Sequence, residues 1–317
     1  MLEVIFLLLG FIIIIKSSDI LVDCASSLAI RCNIPKMLIA LTIVAFGTCA
    51  PEVAISFQSV SAGNGTIAFA NVIGSCIVNT FLIIGLAAII RPIRVKHATI
   101  KKELPILLII TTGFVVLMLD SVFNPLTHNT FSRADGIILI LLFLMFVSYI
   151  VQLLKKKDMD TEKIEPKYKN IFLILFLLIG SILCISLSSD VIVNSATALA
   201  KKLNVSEKVI TMIVVVIGTS LPEMFMTITS ARKKEFDMAI GNIIGTNIFN
   251  ICIVLGLPIV IFGDLVLDNF NLIDIITVFL TSFLLYIFAR SEKEVSKKEG
   301  ILMVAIFIAY YICLIIG

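Results

Sequence analysis

The chain repeats itself. Adding 171 to a residue number in the first half lands on its counterpart in the second. Ser17-Ser18-Asp19 becomes Ser188-Ser189-Asp190, Asn33 becomes Asn204, Glu52 becomes Glu223, Asn71 becomes Asn242 and Asn79 becomes Asn250. Over positions 17–85 the ungapped match is 22 identities in 69, where roughly 10% is expected by chance in so apolar a composition. Coincidence between two Ile/Leu-rich segments does not explain matches at Gly, Pro, Asn, Asp and Glu.

Each copy carries five apolar runs of membrane-crossing length. The ten spans lie near 2–29, 37–60, 67–90, 104–121, 135–154, 171–199, 208–231, 238–262, 270–289 and 300–316. The first and sixth are long enough to require tilt. Of 317 residues, 59% are hydrophobic and 15% charged, more apolar surface than a soluble domain of this size can hide. The expected fold is an all-α polytopic membrane protein, ten transmembrane helices arranged as two inverted five-helix repeats. The first repeat is 1–154, a hydrophilic linker is 155–169, and the second repeat is 170–317. The N-terminus opens with Glu3 and lacks a basic n-region, so it reads as a first span and not as a cleaved signal.

An odd number of spans per copy forces the two copies to insert in opposite senses, and the loop charges agree. Ser61-Ala62-Gly63-Asn64-Gly65 carries no charge, whereas the equivalent loop reads Arg232-Lys233-Lys234-Glu235. With both termini outside, 20 of the 25 Lys and Arg residues fall on the inner side, as the positive-inside rule requires. The linker is then cytoplasmic. Inverted repeats with broken helices at matching places are an architecture of secondary transporters.

The breaks are Gly47-Thr48-Cys49-Ala50-Pro51-Glu52 and Gly218-Thr219-Ser220-Leu221-Pro222-Glu223. Each interrupts an apolar run with Gly and Pro, then places a carboxylate there. Pro removes a backbone donor, so a carbonyl one turn earlier becomes available to a cation. Ionisable groups at membrane depth are costly and mark ion pathways. The next span of each copy supplies Asn71-Val72-Ile73-Gly74-Ser75-Cys76-Ile77-Val78-Asn79 and Asn242-Ile243-Ile244-Gly245-Thr246-Asn247-Ile248-Phe249-Asn250. Helical spacing puts Ser75 with Asn79, Thr246 with Asn250, Thr48 with Glu52 and Thr219 with Glu223 on shared faces.

Carboxylate, hydroxyl, amide and carbonyl oxygens suit hard cations such as Na⁺ or Ca²⁺. Zinc would call for a His or Cys cluster. For any single hydroxyl, a bond to its own backbone is the competing reading. Lys16, Asp19, Asp23 and Asp190 read as interior groups near the two mouths, and His97 and His128 as loop residues. Seven scattered cysteines without a CxxC do not make a disulfide framework. No nucleophile–base pair of an intramembrane enzyme is present, and no cofactor, nucleic-acid or protein-partner motif. A channel is the other transport class, with inverted broken helices favouring a carrier.

The GTCAPE and GTSLPE pair, each followed by a Gly-Ser/Thr helix ending in Asn, resembles the two alpha repeats of the sodium/calcium exchanger family, within the cation/calcium antiporter superfamily. The resemblance is sharpest over 45–85 and 216–256 and is of the prokaryotic, cell-membrane type. It implies Na⁺-driven Ca²⁺ antiport by alternating access, with proton/Ca²⁺ exchange as the alternative. It also implies a core of spans two, three, seven and eight, with spans one and six lying across it. Glu52 and Glu223 would be the shared Ca²⁺/Na⁺ ligands, with Thr48 and Thr219 beside them. Ser75, Ser220 and Thr246 would serve flanking Na⁺ positions with backbone carbonyls near Ala45 and Val216, and Asn79 and Asn250 would line the centre. Three positions depart from the pattern: Cys49 replaces the usual Ser, Ala70 replaces a Gly, and Asn250 stands where several members carry Asp.

Overall fold

A computed structural model describes residues 2–119, 130–155, 165–202, 216–266 and 272–316. Its helices are α1 (Leu2–Cys32), α2 (Lys36–Thr48), α3 (Ala50–Ser61), α4 (Gly65–Ile90), α5 (His97–Lys101), α6 (Glu103–Leu117), α7 (Arg133–Lys155), α8 (Ile171–Lys202), α9 (Val216–Thr219), α10 (Leu221–Arg232), α11 (Phe236–Phe262), α12 (Leu272–Ser291) and α13 (Lys297–Ile316). Six of them are long and apolar enough to cross a bilayer: α1, α4, α7, α8, α11 and α12. The α2–α3 pair, bent by 51°, makes a seventh as one broken span. Helix α6 has 15 residues, and α9 begins directly after the undescribed stretch 203–215. His128 and most of the 155–169 linker also lie outside the described residues.

Burial separates a centre from a periphery. Helices α4 and α11 are largely enclosed, whereas α1, α7 and α8 bury less than a third of their apolar stretch. Phe172 and Phe176 of α8 are 80% and 74% exposed. An apolar exterior of this extent is unfavourable in water and natural against lipid. Helix α1 has 31 residues and α8 has 32. At 1.5 Å per residue each is about 47 Å long, against a hydrocarbon core of about 30 Å. The two run alongside one another outside the enclosed helices. Lys16 and Asp190 project from this pair as exposed side chains, which corrects the expectation that they are interior. They sit on helix faces that no other described element covers.

The repeats are tied to each other crosswise. Gly85 of α4 meets Gly300 of α13, where an added Cβ on Gly300 would lie 2.7 Å from the Gly85 carbonyl oxygen. The same contact recurs between Gly256 of α11 and Gly136 of α7, where a Cβ on Gly136 would lie 2.9 Å from the Gly256 carbonyl oxygen. Small residues permit such close helix approach in a bilayer, where packing and not water exclusion drives association. Two short antiparallel ribbons repeat the pattern. Strand β1 (Ile93–Arg94) pairs with β4 (Glu294–Val295), and β2 (Thr130–Phe131) pairs with β3 (Leu265–Val266). In each, the strand after the third span of one copy meets the strand before the fifth span of the other. Matching caps start α7 and α13. Asp135 accepts from the Ser132 amide at 2.8 Å, and Glu299 from the Ser296 amide at 2.7 Å, satisfying donors that a helix start leaves open.

Candidate ion-binding site

Both GTxxPE motifs break their helix at the same residue. Cys49 has φ −76° and ψ 4°, and its counterpart Ser220 has φ −88° and ψ 8°. Neither angle pair continues an α-helix cleanly, so the chain turns and a new helix begins. Pro51 and Pro222 then sit in the first turn of α3 and α10, where a missing N–H costs nothing. The carbonyl four residues before each Pro loses its usual donor. In the second copy that carbonyl, Gly218, accepts instead from the Ser189 hydroxyl of α8 at 2.7 Å. Ser18, the counterpart of Ser189, bonds within its own helix to the Ile14 carbonyl at 2.8 Å. Side chains of α8 press on both breaks, Ile182 against Gly47 and Val193 against Gly218.

Glu52 and Glu223 follow in the first turns of α3 and α10. Both are fully buried, and the N-terminal ends of these helices favour negative charge. Their charges lie close enough to interact, so the two halves contribute to one site. None of the four carboxylate oxygens has a hydrogen-bond partner. Buried charge without a partner is expensive, and a cation is the kind of partner such a pair could take.

The other residues singled out from the sequence gather in the same condition. Among the described residues, twelve buried side-chain N or O atoms lack a hydrogen-bond partner, and ten of them belong to Glu52, Glu223, Ser75, Ser220, Thr246, Asn79 and Asn250. Native interiors keep such atoms few, so this concentration makes the region the candidate for a ligand site. Thr48 is buried beside Glu223, and its hydroxyl donates to the Ala45 carbonyl at 3.3 Å. That carbonyl also accepts from the Cys49 amide at 3.2 Å, so its intrahelical bonding persists. Thr219 is nearly buried at the equivalent place. Val216, the position matching Ala45, is the first described residue of α9. Cys49 is fully buried next to Thr246 and within electrostatic reach of both glutamates.

Three π-helical turns near these residues carried no signal in the sequence. A π-helical turn begins at Val78 and runs to Ile84, and its counterpart runs from Asn250 to Leu255. A third occupies Ala40–Val44 in α2. Each widens the helix and shifts its carbonyl pattern at the site, a common use of π-turns. Gly245 of α11 lies over the third; an added Cβ there would stand 2.7 Å from the Leu41 carbonyl. Asn71 donates to Ser56 at 3.2 Å and to the Glu52 carbonyl at 3.3 Å, and Asn242 donates to Thr227 at 3.1 Å. These equivalent clasps fix each carboxylate-bearing helix to its neighbour. Asn79 donates to Asn247 at 3.1 Å, and Asn247 to Thr80 at 3.0 Å.

Comparison with known proteins bears on this arrangement. A family model described as sodium/calcium exchanger protein matches residues 2–152 and 173–316. The chain is 35% identical over 263 residues to the inner membrane protein YrbG of Escherichia coli (strain K12), covering 80% of this chain and 78% of that one. It is 27% identical over 344 residues to the sodium/calcium exchanger MaX1 of Methanosarcina acetivorans, covering 97% of each. The solved structure of the sodium-calcium exchanger NCX_Mj superposes with a TM-score of 0.82 at 30% identity, over 97% of both chains. With both halves matched, and with both glutamate motifs inside the matched segments, this chain belongs to the sodium/calcium exchanger protein family.

Proposed function

We propose that the chain is a secondary active antiporter that exchanges Na⁺ for Ca²⁺ across a cell membrane by alternating access. The observation that supports this most is the pair of buried carboxylates, Glu52 and Glu223, at equivalent places in the two halves with no protein partner. Two glutamates match the charge of one Ca²⁺. Ser75, Ser220, Thr246, Asn79 and Asn250 add neutral oxygens, and backbone near Ala45 and Val216 adds carbonyls, toward the six to eight that Ca²⁺ takes. The same oxygens, shared among several monovalent ions, suit Na⁺. Exchange follows because the two cargoes bias the two conformations differently. The reading includes ten crossings, both termini outside and the 155–169 linker inside.

Proton/Ca²⁺ exchange is the second reading, since two buried carboxylates also carry protons. Uptake of ⁴⁵Ca²⁺ into proteoliposomes separates the two. Internal Na⁺ should drive uptake at fixed pH, and an acidic interior without Na⁺ should not. Uptake that follows the proton gradient and ignores Na⁺ would reverse the assignment. Because Asn79 and Asn250 are neutral, no third carboxylate calls for another cation, and K⁺ should not be required. If more than two Na⁺ exchange per Ca²⁺, each net charge moved is worth roughly 2.3 kcal/mol per 100 mV, so an imposed potential should change the rate.

A further inference from the structure

The two central amides are held differently. The Asn79 amide nitrogen donates to the Asn247 side-chain oxygen at 3.1 Å, and the Asn247 nitrogen donates to the Thr80 hydroxyl at 3.0 Å. All three residues are buried. This leaves one atom of the Asn79 amide without a partner, its oxygen. Asn250, the equivalent residue, has neither its nitrogen nor its oxygen partnered. The repeat explains the difference: Asn247 corresponds to Cys76, and Thr80 corresponds to Ile251. Neither Cys76 nor Ile251 can do what its counterpart does, since a thiol is a weak donor and an isoleucine has no polar atom. The π-turn that carries Asn79 and Thr80 packs against both α11 and the Glu223 helix α10.

We propose that Asn247, backed by Thr80, is a positioning residue that fixes the Asn79 amide with its oxygen toward the cation. An amide can present either end, and the wrong end sets an NH₂ donor against the ion. Taking up the nitrogen in a hydrogen bond removes that choice before the ion arrives, so no ordering cost is added on binding. Asn250 has no such brace and turns to suit whichever cargo is present. Asn79 is thus a fixed ligand and Asn250 an adjustable one, a division of labour in a site that must hold ions of different charge and number. The inference rests on the proposed Ca²⁺ site, and its test is chosen to be independent of the coupling ion.

The measurement is ⁴⁵Ca²⁺/Ca²⁺ exchange in proteoliposomes containing the full chain, read as the half-saturating Ca²⁺ concentration. Asn247→Leu should raise it about tenfold, a loss of about 1.4 kcal/mol, and Thr80→Val about threefold. Thr80→Ser, which keeps the acceptor, should recover most of the loss caused by Thr80→Val. In an Asn79→Ala background neither Asn247→Leu nor Thr80→Val should add a further shift, because both act through the Asn79 amide. If Asn247→Leu does not yield folded protein, the Thr80→Val and Asn79→Ala cycle carries the same test. An unchanged half-saturation in Asn247→Leu, or an equal shift with and without Asn79, overturns the proposal while the Ca²⁺ site stands. Absence of Ca²⁺ exchange in the wild type overturns both.

Discussion

The loops 61–65 and 232–236 are the same segment of the repeat placed at opposite ends of the molecule, and they behave in opposite ways. The charged one is clamped. Lys233 donates to Asp23 of α1 at 2.7 Å and to the Asp19 carbonyl at 2.8 Å, and Lys167 donates to Asp23 at 2.6 Å. Asp23 holds the Lys167 ammonium above the usual lysine range. Glu235 accepts from Lys36 with both oxygens at 2.8 Å, and Asp237 pairs with Lys96 at 2.8 Å. Helix α1 packs along α10 at this end, whereas its counterpart pair, α8 and α3, makes much less contact. The uncharged loop lines a cavity of about 560 Å³ together with Phe262, Gly263, Asp264 and Leu265. Its equivalents of Asp23 and Lys233 are Asn194 and Ala62, which cannot form the same clamp. Two copies of one scaffold therefore share the paired glutamates and Asn clasps at the centre, differ there in how Asn79 and Asn250 are held, and differ again at their ends. On the proposed exchange reading the ends would open in turn, and it is there that the charged and uncharged loops differ.

The centre should break most severely, and equally in both halves. Glu52→Gln and Glu223→Gln should each reduce Ca²⁺ transport by at least about 100-fold while the protein remains folded, since an unpaired charge mismatch in a buried site costs several kcal/mol. Retention of normal uptake by both variants would show that the carboxylates do not bind the cargo.

The clasps come next and should again be symmetric. Asn71→Ala and Asn242→Ala should each lower stability by about 1–3 kcal/mol, the cost of stranding a buried polar partner, seen as a fall in melting temperature of the detergent-solubilised protein. A large effect in one half only would mean that the clasps are not equivalent.

The ends should respond unequally. Asp23→Asn breaks a half-buried carboxylate held by two lysines and should cost about 1–2 kcal/mol. Asn194→Ala, on an exposed face, should stay within about 0.5 kcal/mol. Equal stability losses at 23 and 194 would erase the distinction between the ends.

The smallest expected effect is at Cys49, where the motifs place a thiol opposite the Ser220 hydroxyl. A thiol is a poorer ligand for hard Na⁺ than a hydroxyl, so Cys49→Ser should lower the half-activating Na⁺ concentration by about two- to threefold, and Ser220→Cys should raise it. Cys49 is buried beside Thr246 and within electrostatic reach of both glutamates, which is why the proposed site makes its side chain worth testing. An unchanged Na⁺ response in both would place these side chains outside the coordination sphere.

The sequence by itself determined an all-α polytopic membrane protein of this family, and offered the donors as candidates. Apolar runs fix where helices cross, because a backbone in hydrocarbon has few other ways to satisfy its polar groups. The 171-residue offset exposes the inverted pair, and Gly, Pro and Glu at one spacing mark the breaks, because each acts on the residues immediately around it. Tertiary structure alone decided which oxygens stay unpartnered and which side of the repeat is clamped. The π-turns at Val78 and Asn250 leave no compositional mark, since they redirect hydrogen bonds within an unbroken apolar helix. The Asn247–Thr80 brace joins residues that are not equivalent in the repeat, so the symmetry that revealed Glu52 and Glu223 hid it. Lys16 and Asp19 lie three residues apart on one helix, yet only packing against α10 and its following loop gives Asp19 a cation and leaves Lys16 outside. Charge and spacing are local quantities; a partner across 200 residues is set by how the helices pack.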